Sequence, residues 1–138
     1  MNKELTDNLK CALKSYSERH PKKLYPDHFI IYRDGVGDGM RQQVLATEVS
    51  QFRAAISDVY NKAAKKPKIT LIIVNKRITQ RFFVDDGYGN LSNPPSGCII
   101  DSGLVERQDI SGVYDFFLIP QNTTQGCVLP THFYVAYD

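Results

Sequence analysis

The sequence predicts an α/β domain whose helices pack on a sheet of mixed strand pairing. Apolar residues recur at helical spacing near the start, and Ile69 to Val74 form a continuous, largely β-branched run. The elements then follow the order helix, strand, helix, strand and mostly strands. A length of 138 residues suits one domain or part of one, and 42% hydrophobic with 23% charged residues is globular composition.

Leu5, Leu9, Ala12, Leu13 and Tyr16 mark one face of an amphipathic helix over the first 19 or so residues. His20-Pro21 ends it, because the residue before a proline is pushed away from α geometry. Phe29 to Tyr32 reads as a short buried strand closed by the Asp34-Gly35 turn, with a glycine-rich loop running on to Gly39. Leu45, Val49, Phe52, Ile56 and Val59 form the apolar face of a second helix ending near Asn61. Ile69 to Val74 is then expected to be a central strand covered on both faces. Thr79 to Val84 is expected to be the next strand, pairing antiparallel with it. The segment 85–97 is rich in turn residues, and short strands are expected at Cys98–Ile100, Asp115–Ile119 and Phe133–Tyr137. The sequence stops directly after that last strand with no closing helix, so the sheet reads as incomplete and its edge as unprotected.

Several classes are disfavoured. The longest apolar run is far short of the roughly 18 residues a membrane span needs, and the start has no apolar signal-peptide core. Cys11, Cys98 and Cys127 are an odd number with no close pair, which argues against a disulfide framework or a zinc site and for a reducing compartment. A net charge of +2 says little about partners until its distribution is considered.

Asp34 sits where a buried strand meets a glycine loop, a position where α/β sheets place functional groups. A carboxylate there can hold a divalent cation if other donors converge on it, or can simply open a turn. Gly35-x-Gly37-x-Gly39 brings its third glycine one residue too early for a dinucleotide fingerprint, so these glycines read as turn formers. From Val59 to Val84 there is no acidic residue, while Lys62, Lys65, Lys66, Lys68, Lys76, Arg77 and Arg81 all fall inside. Such a patch can neutralise nucleic-acid phosphates, or can be a solvated face whose first lysines follow a helix end. Gln121 to Gln125 is an uncharged polar loop, facing either solvent or sugar and phosphate oxygens. His132 is expected to pack or hydrogen-bond at the entrance of the last strand.

The run Tyr32-Arg33-Asp34-Gly35-Val36-Gly37-Asp38-Gly39 resembles the YRDGV-x-[DE]-G signature of the Piwi domain in Argonaute and Piwi proteins. In matching order follow Ile69 to Arg81, similar to that family's buried strand and lysine-arginine turn, and Asn93-Pro94-Pro95-Ser96-Gly97, similar to its N-P-P-x-G loop. Tyr114 to Leu118, Gln125-Gly126, Pro130 to Phe133 and Tyr137-Asp138 resemble the family's closing stretch. The likeness covers essentially the whole chain and leans towards the Piwi branch.

The resemblance implies an RNase H-like mixed sheet flanked by helices, incomplete at both ends, that holds a small, piRNA-like guide RNA against its target RNA. In cleaving members an Asp, a Glu, a second Asp and a final His or Asp position two Mg²⁺ ions for RNA hydrolysis. Asp34 matches the second Asp, a metal ligand, and Glu4 matches the glutamate, whose bland reading is an acidic residue in a helix first turn. The first Asp would lie upstream of Met1 and the final His downstream of Asp138; His132 matches a different family position. The chain alone is therefore expected not to cleave RNA. Lys76, Arg77 and Arg81 would contact the RNA backbone, assisted by Gln121 and Gln125. The other reading is a truncated, non-catalytic module that binds RNA or protein. A cytoplasmic or nuclear protein without a membrane partner is implied.

Overall fold

Helix α1 (Lys3–Arg19) leads towards strand β1 (His28–Asp34) in a computed structural model that describes residues 3–20, 25–60, 66–103, 105 and 114–138. After β1 a 3₁₀ turn (Asp38–Met40) enters α2 (Arg41–Val44), a π-helical turn (Leu45–Val49) and α3 (Ser50–Val59). The strands β2 (Lys68–Asn75), β3 (Val84–Asp85), β4 (Leu91–Ser92), β5 (Ile99–Ile100), β6 (Tyr114–Leu118) and β7 (Thr131–Tyr137) follow. Five of them form one sheet in the order β1-β2-β7-β6-β5, with β1 and β2 parallel and the other pairs antiparallel. Mixed pairing is thus the outcome, as the order of elements predicts.

β2 is the spine of the sheet. Leu71 and Ile73 are fully buried, and with Ala136 they meet Val36, Val44 and Val49 from the loop and helices after β1. On the same face, two residues back, Ile69 meets Leu13 of α1 and Ile56 and Tyr60 from α3 and its end. The alternation of a strand side chain every two residues therefore puts α1, α2 and α3 on one face. The other face is only partly covered: Ile30 and Tyr32 of β1 are 54% and 64% exposed. The expectation that β2 is covered on both faces holds for its own residues Thr70 and Val74, which are buried, but not for β1 beside it.

Two boundaries differ from expectation. The second helix begins earlier than Leu45, directly from the glycine loop, and contains the π turn, where the Thr47 and Ser50 hydroxyls donate to the carbonyls of Gln43 and Ala46. Segment 79–83 is not a strand. Phe82 instead turns its ring to within 5.1 Å of the Phe117 ring, and only Val84–Asp85 pairs, with Leu91–Ser92. That small hairpin is closed by Asp86, whose carboxylate accepts from the backbone N–H groups of Tyr88 and Asn90 and from the Asn90 amide. In α1 Leu13 is buried but Ala12 is exposed, so the apolar stripe is narrower than the spacing suggests.

Candidate nucleic-acid interface

Strand direction gathers the candidate residues. β1 and β2 run parallel with Asp34 opposite Val74, so both end on the same side of the sheet. β7 begins there, because His132 lies opposite Asn75. β6 ends there, with Leu118 opposite Thr131, and β5 begins there, with Ile99 opposite Leu118. The loop after Asp34, the Lys76 to Phe83 segment, the Asn93 to Cys98 loop and the 119–130 loop therefore share one end of the sheet. This is the end at which parallel strands of α/β folds present binding groups.

Asp34 stands at the rim. Its side chain is 61% exposed, and Lys76, which follows β2, donates from Nζ to its Oδ2 at 2.8 Å. That hydrogen bond, opposed by desolvation and aided by the ammonium charge, the Gly35 N–H and Arg33, holds the Asp34 carboxyl below the usual carboxylate range. Arg33 is fixed in turn: its Nε donates to Glu48 in the π turn at 3.1 and 3.2 Å, and its Nη1 donates to the Asp34 carbonyl at 2.6 Å. Gly35 adopts a φ of +73°, a left-handed turn that glycine makes without strain, whereas Gly37 and Gly39 do not. Instead the Gly37 carbonyl accepts the Met40 N–H at 2.9 Å, which starts the 3₁₀ turn.

Of the basic segment, Lys62 and Lys65 lie outside the described residues, and Lys66 and Lys68 lie at the opposite end, where β2 begins. Lys76, Arg77 and Arg81 are all exposed at the Asp34 end. Arg77 has no ion-pair partner among the described residues, while Arg81 donates from Nη1 to the carbonyls of Ile78 and Gln80 and braces its own turn. Gln121 and Gln125 are exposed on the 119–130 loop, whose shape is held from beside it. The Asn93 side chain donates to the Gly126 carbonyl at 2.9 Å and accepts from the Val128 N–H at 3.1 Å. Ser96 donates its N–H to Asn122 Oδ1 at 2.8 Å and its hydroxyl to the Pro120 carbonyl at 3.2 Å.

Behind this rim His132 donates from Nε2 to Asp115 Oδ2 at 2.6 Å, both side chains being about nine-tenths buried. The His132 ring stacks on Phe117 with centroids 4.5 Å apart. A histidine that packs and hydrogen-bonds at the strand entrance is what the sequence leads one to expect, and it lies inside the sheet rather than at the rim.

The sequence pattern of the Piwi domain matches residues 1–138. The chain belongs to the Piwi-domain family. It is 39% identical over 140 residues to Piwi-like protein 1 of Gallus gallus, an alignment covering 98% of this chain and 15% of that protein. The crystal structure of Drosophila Piwi is similar with a TM-score of 0.78 and 31% identity, over 97% of this chain and 17% of that one. A crystal structure of Kluyveromyces polysporus Argonaute with a guide RNA shares the fold, with a TM-score of 0.76 at 22% identity, over 100% of this chain and 17% of that one. The chain thus spans about 15% of the length of the curated relative from Gallus gallus.

In this Piwi domain the five-stranded sheet flanked by helices is the RNase H-like arrangement the motifs imply. Of the site residues named from the sequence, Asp34, Lys76, Arg77, Arg81, Gln121 and Gln125 share the loop end of the sheet. Glu4 lies in the first turn of α1, and its side chain is outside the described residues. Among the described residues no three His, Cys, Asp or Glu side chains converge. Asp34 is a single carboxylate already paired with an ammonium, so the described residues do not by themselves fit a divalent cation. Sequence reading missed the Asp34–Lys76 pair, which only the parallel register of β1 and β2 discloses. It also missed Asn93, whose partners lie 33 and 35 residues away. The Asn-Pro-Pro motif was the available signal.

Proposed function

We propose that this Piwi domain holds a small, piRNA-like guide RNA and its target in RNA silencing. The observation that carries the reading is the gathering of Lys76, Arg77 and Arg81 with the neutral Gln121 and Gln125 loop at one sheet end beside Asp34. Three cations on neighbouring turns suit the phosphate backbone, which every guide sequence presents alike. The Argonaute of similar fold that carries a guide RNA supports the same partner class. A reducing cytoplasmic or nuclear setting suits the exposed cysteines Cys11 and Cys127, and no helix among the described residues is long and apolar enough to cross a membrane.

For cleavage, the resemblance assigns Asp34 and Glu4 to a four-residue set that binds Mg²⁺. Of that set the resemblance matches two residues of these 138, Asp34 and Glu4, so they are by themselves expected to leave RNA intact. The full native chain, given a guide RNA, is expected to cleave a matched target only in Mg²⁺, and Asp34→Ala is expected to abolish cleavage. Cleavage that survives Asp34→Ala removes Asp34 from the site. The Lys76 ion pair favours a second reading, a non-catalytic RNA-binding module, because an ammonium already neutralises Asp34. RNA binding without cleavage in the full native chain would select it.

A further inference from the structure

Two anions have a claim on Lys76. It is one of the cations placed for an RNA backbone, and it is also the cation on the Asp34 carboxylate, with Nζ 2.8 Å from Oδ2. A lysine has three N–H donors but a single charge. A phosphate that joins the pair therefore meets the Asp34 carboxylate as a like charge, and the two anions compete.

The pairing follows from the strands. Asp34 lies opposite Val74 in the parallel register of β1 and β2. Lys76 stands two residues beyond Val74, and the strand period of two returns it to the side of the sheet that Asp34 faces. Neighbouring strands lie roughly 5 Å apart, a gap that a lysine spans easily.

No other nearby cation holds that carboxylate. The Arg33 guanidinium is bonded to Glu48 and to the Asp34 backbone carbonyl, so it acts on the Asp34 side chain through its charge alone. Arg81 is bonded to the carbonyls of its own turn. Arg77, next to Lys76 in sequence, has no ion-pair partner among the described residues. Two adjacent cations thus differ in that only one is matched to a carboxylate. The Lys76 and Asp34 side chains are 65% and 61% exposed, so solvent reaches the pair and nothing in the fold prevents its exchange.

We propose that Asp34 is an internal competitor of RNA for Lys76: without RNA this ammonium stays on Asp34, and a phosphate that takes it leaves the carboxylate uncovered. The proposal rests on the RNA-binding reading above. It gives the two neighbouring cations different work. Arg77 meets the backbone unconditionally, whereas Lys76 ties RNA occupancy to the state of Asp34. Linkage makes the effect mutual: RNA weakens the ion pair, and the Asp34 charge weakens RNA binding through Lys76. The ion pair and the free carboxylate are then two states of one site, the first without RNA and the second with it.

The test is a double-mutant cycle on the full native chain, read as affinity for one single-stranded RNA in monovalent salt with no divalent cation added. Asp34→Asn keeps the shape of the side chain and removes its charge. It is expected to tighten RNA binding about two- to fivefold at low salt, the scale of an exposed ion pair, with the gain fading as salt screens the pair. Lys76→Ala is expected to cost more in the Asp34→Asn background than in the parent, by that same factor, whereas Arg77→Ala costs the same in both. Asp34→Ser gives the same reading should Asp34→Asn fail to fold. A Lys76→Ala cost equal in the two backgrounds overturns the competition, and so does an Arg77→Ala cost that rises as much as that of Lys76→Ala. Either result makes Asp34 a distant charge and leaves salt-sensitive RNA binding standing. Absence of salt-sensitive RNA binding in the parent overturns the RNA-binding reading itself, and the proposal with it.

Discussion

The two ends of the sheet carry similar polar groups and use them in opposite ways. At the end where β1 and β2 begin, several are bonded to one another, although His28, Arg53 and Asp138 stay exposed. The Tyr60 hydroxyl donates to the Pro26 carbonyl at 2.6 Å, and its ring meets those of Tyr25 and Phe29. The Thr70 hydroxyl donates to the Asp138 carboxylate, so the bond between His28 Nε2 and Thr70 Oγ1, 2.7 Å long, takes its hydrogen from the histidine. Arg53 donates to the Tyr137 hydroxyl and lies over that ring. At the other end Asp34 and Lys76 are each more than half exposed, Arg77 has no ion-pair partner among the described residues, and the glutamines face outward. At the first end these bonds tie β1, β2 and β7 together, whereas at the second the cations after β2 lie along an exposed loop. Polar residues therefore reveal little by type; what matters is whether their bonds are satisfied inside the fold.

The largest effect is expected where the two ends meet. Leu71→Ala removes a fully buried side chain from the spine strand and should cost about 2–5 kcal/mol in a denaturant titration, loosening both ends together. A smaller change isolates the closed end. Tyr60→Phe removes the bond to Pro26 and should cost about 1 kcal/mol, with RNA affinity untouched. Burial, with the charge of Asp27 adding to it, pushes the Tyr60 phenol up to about 12 from 10.0. A pKa raised by folding means stability fully present below pH 10 and lost as the pH rises from there through about 12. Tyr60→Phe should flatten that alkaline loss, and an unchanged profile would mean that Tyr60 is not its source.

Much of this contrast could be read in advance, and the unread part has a common cause. The 3.6-residue recurrence of Leu9, Leu13 and Tyr16 locates α1, and the apolar run from Ile69 locates β2, because both signals are local in sequence. Asp34 at a strand end beside a glycine turn was also legible. The strand expected at Thr79–Val84 shrinks to its last residue because Phe82 packs on Phe117 while Phe83 stays exposed, and only Val84 enters a ladder. The reach of Lys76 to Asp34 and the place of Asn93 beside the 119–130 loop depend on strand order, which no local pattern encodes. Glu4 is a further case: its place in a helix first turn was readable, but its relation to Asp34 depends on a side chain outside the described residues.

The smallest change in stability should accompany the largest change in ligand response. Lys76→Ala and Arg77→Ala remove exposed cations and should leave the unfolding midpoint where it is. The deciding measurement is the RNA affinity of the full native chain as a function of salt, for the parent, these two variants and Tyr60→Phe. Log affinity is expected to fall linearly with log salt, each lysine or arginine substitution to make the slope shallower by about 1, and Tyr60→Phe to leave it unchanged. A slope that is flat in the parent, or equally steep in all four proteins, would contradict the assignment of this end of the sheet to RNA.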